Sequence, residues 1–155
     1  MRLMLRNVCI LFLVLFAVVL PSHADDRLGT KEEAQAMVRK IIAFQKKYGR
    51  ERAISEGNAA KSEFRDKDLY VFGFLADGTN VVHANKKMIG KNLLDLKDPE
   101  GVMIIKELIK VGLSQDGKGW ISYKWPNAVT QNMEQKASYV ERFGDIIYGC
   151  GYLQQ

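Results

Sequence analysis

The last third of the chain contains three strand-like segments in succession, and this run constrains the fold more than any other feature. Residues 120–125, 135–142 and 146–153 are rich in aromatic and β-branched side chains, which favour strands. A tight turn at Phe143-Gly144 joins the last two segments. Consecutive strands joined by turns pair as antiparallel hairpins, so the sequence predicts an antiparallel sheet in this region.

A further strand pair and a second helix are predicted in the middle of the chain. Residues 69–75 and 80–84 flank the turn sequence Ala-Asp-Gly-Thr, which is typical of a β-hairpin. Residues 85–97 are polar with isolated apolar side chains, which indicates a loop held against the domain. Asp98 and Pro99 then predict the start of a helix, with Asp98 as its cap and Pro99 at the first helical position.

Helical periodicity marks the beginning of the domain. Thr30 and Glu33 have the spacing of a capping box, and Gly49 is well placed to end a helix. The apolar residues that recur between them at three- and four-residue spacing are Ala34, Met37, Ile41, Phe44 and Tyr48. A weaker helical piece over 50–60 and a charged connecting loop over 61–68 are predicted to follow. A helix packed on one side of an antiparallel sheet gives an α+β domain.

The N-terminus has the pattern of a secretory signal peptide. Arg2 and Arg6 precede an unbroken apolar run over residues 8–20. The run is short for a membrane-spanning helix, which needs roughly 20 apolar residues. The alternative is an uncleaved anchor, which would then be the protein's attachment to a membrane.

Small side chains predict where the signal peptide is cleaved. Ser22 and Ala24 suit the positions that a signal peptidase recognises. We therefore predict a signal peptide over 1–24 and a single domain over 25–155, located in the periplasm or secreted.

Composition excludes several classes of function. Cys9 and His23 lie in the predicted signal peptide, which leaves Cys150 and His83 as the domain's only cysteine and histidine. An internal disulfide is then impossible, and no spacing of ligands suited to a metal is visible. We expect no cofactor. The net charge of +5 comes from basic and acidic residues interspersed along the chain, which argues against nucleic-acid binding.

Several motifs occur in a fixed order along the chain. They are D-L-Y-V-F at 68–72, A-D-G-T at 76–79, V-V-H-A at 81–84, I-G-K-N-L-L-D-L-K-D-P-E-G at 89–101, G-W-I-S-Y-K-W-P-N at 119–127, K-A-S-Y-V at 136–140 and G-C-G-Y at 149–152. In this order they resemble the motifs of single Cache domains, a family of extracytoplasmic sensor domains. The chain differs where the family often has His-Pro, at His83-Ala84, and a tryptophan-bearing turn, at 143–145.

The resemblance implies a PAS-like Cache fold, in which a long N-terminal helix packs on a five-stranded antiparallel sheet. The other face of the sheet would hold a small ligand beneath the segment between the second and third strands. Family members are usually inserted between two membrane spans of a chemoreceptor, a histidine kinase or a cyclic-nucleotide enzyme. Many bind small organic acids such as acetate, propionate or pyruvate. The sequence shows no second span or output domain, so we expect a membrane receptor or sensor kinase to act as its partner.

Lys136 is the residue to which the resemblance gives the clearest role. It lies in the K-x-S-Y-V motif, where its ammonium group would pair with the carboxylate of a ligand. Strand alternation puts Ser138 on the same face as Lys136 and Tyr139 on the other. A solvated lysine at a strand edge is the alternative interpretation.

His83 also has two interpretations. It can be a structural hydrogen-bonding residue, or it can contact the ligand through one ring nitrogen. In the second case, its protonation would make acid binding stronger at lower pH.

Aromatic residues in the last three strands are either core or pocket residues. The functional interpretation selects Trp125 and Tyr139 as the wall of a ligand pocket, with Tyr123 and Ser138 as further candidates. Alternation puts Tyr123 and Trp125 on one face of their strand and Trp120 on the other, without indicating which face forms the pocket.

The leading hypothesis is a sensor module for a small organic acid that acts in signal transduction, for example in chemotaxis. The alternative is an interaction protein without a ligand, which docks on a membrane receptor or forms a homodimer through its long helix. We do not expect an enzyme, because Cys150 and His83 have no third orienting group and no acid–base pair is apparent.

Overall fold

A computed structural model of the protein describes residues 28–127 and 130–154, and the predicted signal peptide lies outside them. The helices are α1 (Lys31–Tyr48), α2 (Arg50–Asn58) and α3 (Ile104–Gly112). The strands are β1 (Arg65–Asp66), β2 (Leu69–Phe74), β3 (Asn80–Val82), β4 (Lys118–Pro126), β5 (Met133–Phe143) and β6 (Ile146–Leu153).

Helix α1 begins and ends as its sequence predicts. The Thr30 side chain accepts a hydrogen bond from the Glu33 backbone N–H, and the Thr30 N–H donates to the Glu33 carboxylate. Gly49 adopts a positive φ of 89° and its N–H donates to the Gln45 carbonyl, which ends the helix. The apolar side of α1 is buried against the sheet.

The strands form one antiparallel sheet in the order β1-β2-β6-β5-β4, and β3 also pairs with β2. The α+β prediction is confirmed. One more strand is present than the five expected, because β1 forms within the segment predicted to be a charged loop. In the register of the sheet, Arg65 of β1 lies opposite Tyr70, and Val82 of β3 lies opposite Gly73. β1 and β3 therefore pair with opposite ends of β2.

Each face of the sheet carries its own apolar core. On the helix face, which α1 covers, β2 and β6 contribute Val71, Tyr148 and Cys150. The opposite face is covered by α3, and we call it the pocket face after the cavity described below. There β2 and β6 contribute Phe72, Phe74 and Ile147. Burying each such large apolar side chain stabilises the fold by roughly 1.5–3 kcal/mol, so both faces contribute to folding.

The predicted start of the second helix at Asp98 and Pro99 is wrong, because α3 begins only at Ile104. Gly101 adopts a φ of 86°, which a right-handed helix does not allow. The buried Asp98 carboxylate instead accepts hydrogen bonds from the backbone N–H groups of Glu100, Val102 and Lys124. It thereby ties the loop before α3 to strand β4.

Candidate functional site

A pocket lies between α3 and the face of the sheet opposite α1. The empty space at the pocket, counted together with its opening to solvent, is about 290 Å³. The lining side chains come from β2 and β4, from α3, and from the segment between β3 and α3. They are Tyr70, Phe72, Phe74, His83, Met88, Ile104, Ile105, Leu108, Tyr123 and Trp125.

Lys136 lies beside the pocket, over the ring of the lining residue Tyr70. The residue is only 4% exposed, and its Nζ lies 4.4 Å from the centre of that ring, within the range of a cation–π interaction. Gly151 makes this course possible, since a Cβ there would lie 2.5 Å from Lys136 Cε. The predicted pocket lysine is therefore buried beside the pocket and is not solvated at a strand edge.

Arg65 is a second cation at this end of the pocket, and the sequence analysis did not identify it. β1 pairs with β2 so that Arg65 lies directly opposite Tyr70. Its Nε and Nη2 atoms are buried and have no hydrogen-bond partner among the described residues. Within the same part of the chain, neither Arg65 nor Lys136 forms a salt bridge with a carboxylate. The site thus holds two cationic side chains whose charges have no acidic partner there.

His83 is a neutral hydrogen-bond donor close to Arg65 and Lys136. Its Nδ1 accepts a 2.8 Å hydrogen bond from the Asn85 N–H, which leaves the proton on Nε2. Burial, assisted by the charges of Lys136 and Arg65, lowers the pKa of His83 from 6.5 to about 4. Its ring packs edge-on against Tyr70, with ring centres 5.3 Å apart. At neutral pH the Nε2–H is therefore available to donate to a bound oxygen.

This lowered pKa predicts a loss of stability in acid. The unfolded chain binds a proton near pH 6.5, whereas the folded protein does so only near pH 4. Above pH 6.5 the group contributes nothing, and between pH 6.5 and 4 the folded state loses about 3 kcal/mol relative to the unfolded state. Urea unfolding at several pH values should show this loss in the wild type and a smaller one in His83→Gln. If the free energy of unfolding falls equally with pH in the two proteins, the lowered pKa of His83 is contradicted.

Tyr123 and Trp125 line the pocket, and Ser138 contacts Tyr123. The hydroxyl of Tyr123 and Oγ of Ser138 are 2.7 Å apart and share a hydrogen bond. Burial raises the pKa of Tyr123, so its hydroxyl stays neutral. The Tyr123 and Trp125 rings meet edge to face with centres 6.0 Å apart. Together they form the wall of the pocket on the β4 side.

Tyr139 is not part of this site, which corrects its assignment to the pocket wall. Neighbouring residues of a strand point to opposite faces, so Tyr139 lies on the helix face while Ser138 lies on the pocket face. Its ring packs against Trp120, with centres 5.3 Å apart, and its hydroxyl donates to Glu141.

Cys150 is likewise on the helix face, where its Sγ lies 3.9 Å from Met37 Sδ. Burial raises the pKa of its thiol to about 12. A buried thiol with such a pKa is a poor nucleophile.

Residues 28–127 and 130–154 contain neither a cluster of potential metal ligands nor a helix suited to crossing a membrane. No three His, Cys, Asp or Glu side chains in these ranges come together as a group that could hold a metal ion. None of the helices there has the length and hydropathy to span a membrane.

The fold and the sequence both match known sensor domains. A family model described as Cache domain matches residues 29–151. The chain belongs to the Cache domain family. Cache domains are extracytoplasmic sensor modules, so the predicted family and the sensor class are confirmed.

Relatives of this Cache domain occur in receptors and kinases. A sensor histidine kinase, MctS of Rhizobium johnstonii, is 40% identical over 75 residues, which are 48% of this chain and 16% of the kinase. The chain therefore matches less than a fifth of that protein.

Solved Cache structures have the same fold. A methyl-accepting chemotaxis protein from Vibrio parahaemolyticus has a TM-score of 0.68 and 27% identity, covering 79% of this chain and 87% of that one. A Cache chemosensory domain, described in terms of carboxylic acid recognition, has a TM-score of 0.67 and 21% identity over 80% and 92% of the two chains. At that identity, the second likeness shows the fold alone.

Proposed function

We propose that this Cache domain is the ligand-binding module of a signalling system and that its ligand is a small organic acid. The observation that carries the proposal is the pair of cations at Arg65 and Lys136, which lie beside the pocket residue Tyr70 without a carboxylate partner among the described residues. A buried charge without a partner costs several kcal/mol. A bound carboxylate would offset that cost and satisfy the open Arg65 donors.

His83 and the pocket walls support the same class of ligand. The neutral His83 Nε2–H adds a third donor. His83, Lys136 and Arg65 all lie next to Tyr70. Apolar and aromatic residues surround this polar end, as is usual in small-molecule pockets. Carboxylic acid recognition is the subject of one solved Cache structure with the same fold, and we extend that ligand class to this chain as part of the proposal.

The signalling context is a further part of the proposal. Relatives are a sensor kinase and chemoreceptors, so we infer that a membrane receptor or sensor kinase responds to occupancy of this pocket. We also propose that residues 25–155 act in the periplasm after removal of the signal peptide.

Thermal unfolding with and without acids tests the ligand class. At a concentration of one hundred times Kd, a ligand stabilises the folded state by about 2.7 kcal/mol, which raises the midpoint by several degrees. We expect acetate, propionate or pyruvate to do so at pH 7, and the matched neutral amides not to. Equal shifts with propionate and propionamide, or no shift with any acid, would contradict the proposal.

A further inference from the structure

The exposed side of α1 is basic along most of its length. Its outward residues recur at three- and four-residue spacing, so they form one stripe along the helix. They are Ala36, Arg39, Lys40, Ala43, Lys46 and Lys47. No acidic residue occurs in the sequence between Glu33 and Glu51. The stripe continues at its end into the exposed residues Tyr48 and Arg52, and we call the whole the basic surface.

Aromatic rings hold several cations of the basic surface in place. Lys47 Nζ and Arg52 Cζ lie 4.9 and 5.2 Å from the centre of the Tyr48 ring. Lys46 Nζ lies 5.2 Å from the centre of the Phe143 ring. These distances are within the range of a cation–π interaction, which positions a cation without neutralising its charge. A partner would therefore meet charges whose side chains are already partly ordered, which lowers the entropic cost of docking.

Acidic side chains of the chain itself leave most of the basic surface unneutralised. Glu63 forms a salt bridge with Lys40, with the two atoms 2.8 Å apart. In the described part of the chain, no carboxylate forms a salt bridge with the other four cations, which are Arg39, Lys46, Lys47 and Arg52. On the basis of this charge, we propose that the basic surface docks an acidic helix of a partner protein.

Like charge decides against a second copy of this chain as the occupant. Symmetric packing of two α1 helices about Ala43 would bring the four cations of the stripe next to the same four of the other copy. Like charges facing each other across an interface suppress association. The basic surface therefore disfavours the homodimer through the long helix that the sequence left as an alternative.

The side chains between the cations favour a protein over an anionic membrane. Helices that lie on a membrane insert large apolar or aromatic side chains into it. Among the six residues of the stripe, the apolar members are Ala36 and Ala43, whose small side chains allow another helix to approach closely. Tyr48 is 44% exposed at the end of the stripe, beside Arg52. Tyrosine and arginine are enriched in the central contacts of protein interfaces.

The basic surface and the acid pocket are independent sites. The stripe is on the side of α1 that faces away from the sheet, and the pocket is on the opposite face of the sheet. The inference extends the proposed signalling role, because it gives the receptor or kinase partner a place to dock. Docking and acid binding can therefore succeed or fail separately in experiments.

A synthetic helical peptide serves as the probe for docking. It has about 20 residues, so that it is helical in water, with alanine along one seam and glutamate on both sides of it. We expect fluorescence anisotropy to show that the purified protein binds this peptide at least about tenfold more tightly than the same peptide with glutamine for glutamate. The affinity should fall as the salt concentration rises.

Paired charge reversals locate the binding surface. Lys46→Glu with Lys47→Glu should weaken peptide binding at least about tenfold. Lys86→Glu with Lys87→Glu is the matched control, because these exposed residues of the loop between β3 and α3 change the net charge equally. The control pair should stay within about twofold. If the first pair does not fold, Lys46→Gln with Lys47→Gln should still weaken binding.

Four results would overturn the inference. One is no preference for the glutamate peptide, and another is an equal loss in both pairs of variants, which would mean that binding follows net charge. The third is self-association of the wild type in sedimentation that the Lys46 and Lys47 variants alter. The fourth is binding to phosphatidylglycerol vesicles, but not to the peptide, through the same lysines. Each leaves acid binding intact, and absence of acid binding would leave the docking inference intact.

Discussion

Lys136→Met and Arg65→Met should each abolish most acid binding while making the ligand-free protein more stable. A hydrogen bond to a charged group contributes about 1.5–3 kcal/mol, so each variant should lose roughly ten- to a hundredfold in acid affinity. Calorimetry measures this loss and urea unfolding measures the stability. A loss of affinity together with a gain in stability identifies a ligand-binding residue, because replacing a structural residue would lower the stability.

The gain in stability follows from comparing two energies at Lys136. Its interaction with the Tyr70 ring is worth about 2 kcal/mol when desolvated. Burying a charge without an acidic partner costs several kcal/mol. The cost is larger, so an apolar side chain of similar length should stabilise the empty domain by about 1 kcal/mol or more. For Arg65, whose Nε and Nη2 have no partner among the described residues, the same sign is expected.

Exposed basic residues of the same sheet provide matched controls. Lys118 of β4 and Arg142 of β5 are both exposed. Lys118→Met and Arg142→Met remove the same charges without reaching the pocket, so affinity should stay within about twofold and stability within about 0.5 kcal/mol. If the Lys136 and Arg65 variants are less stable and still bind acids normally, the two cations stabilise the fold and do not bind the ligand.

The sequence was sufficient for the elements whose signals are local. The capping box of Thr30 and Glu33, the helix end at Gly49 and the turn before β3 all depend on residues within a few positions of each other. Strand β1 gave no such signal, because it has only two residues within a charged stretch and forms through pairing with β2. Arg65 was missed for that reason.

Two errors have long-range causes. The Asp98 carboxylate accepts hydrogen bonds from the nearby Glu100 and Val102 N–H groups, as a cap would, but it also accepts one from the Lys124 N–H, 26 residues later. The K-x-S-Y-V motif favours Tyr139 as a pocket residue, although strand alternation places it on the opposite face from Lys136. Alternation gives relative faces, and only the packing of α1 and α3 on the folded sheet shows which face forms the pocket.

Gly151 controls the course of the Lys136 side chain across β6. A Cβ at this position would overlap Ser138 Oγ and lie 2.5 Å from Lys136 Cε and 3.1 Å from the Ala137 carbonyl oxygen. The backbone of Gly151 does not have a positive φ, so alanine is disfavoured there by crowding, which would displace the Ser138 and Lys136 side chains. The glycine is therefore needed for the placement of the cation.

Gly151→Ala should lower acid affinity although it removes no charge and no hydrogen-bonding group. Displacing Lys136 from the Tyr70 ring should cost about ten- to a hundredfold in affinity, as its removal does. Crowding should also reduce the free energy of unfolding by about 1–3 kcal/mol. Calorimetry and urea unfolding measure the two effects.

A double-mutant cycle separates this effect from general damage to the sheet. If Gly151 acts through Lys136, adding Gly151→Ala to Lys136→Met should cause little further loss of affinity, since the lysine is already absent. Gly119→Ala is the matched control, because its Cβ would meet only Val111 Cγ1, at 2.9 Å, within 4 Å. That variant should lose stability with acid affinity nearly unchanged. Additive losses in the cycle would mean that Gly151 shapes the pocket independently of Lys136.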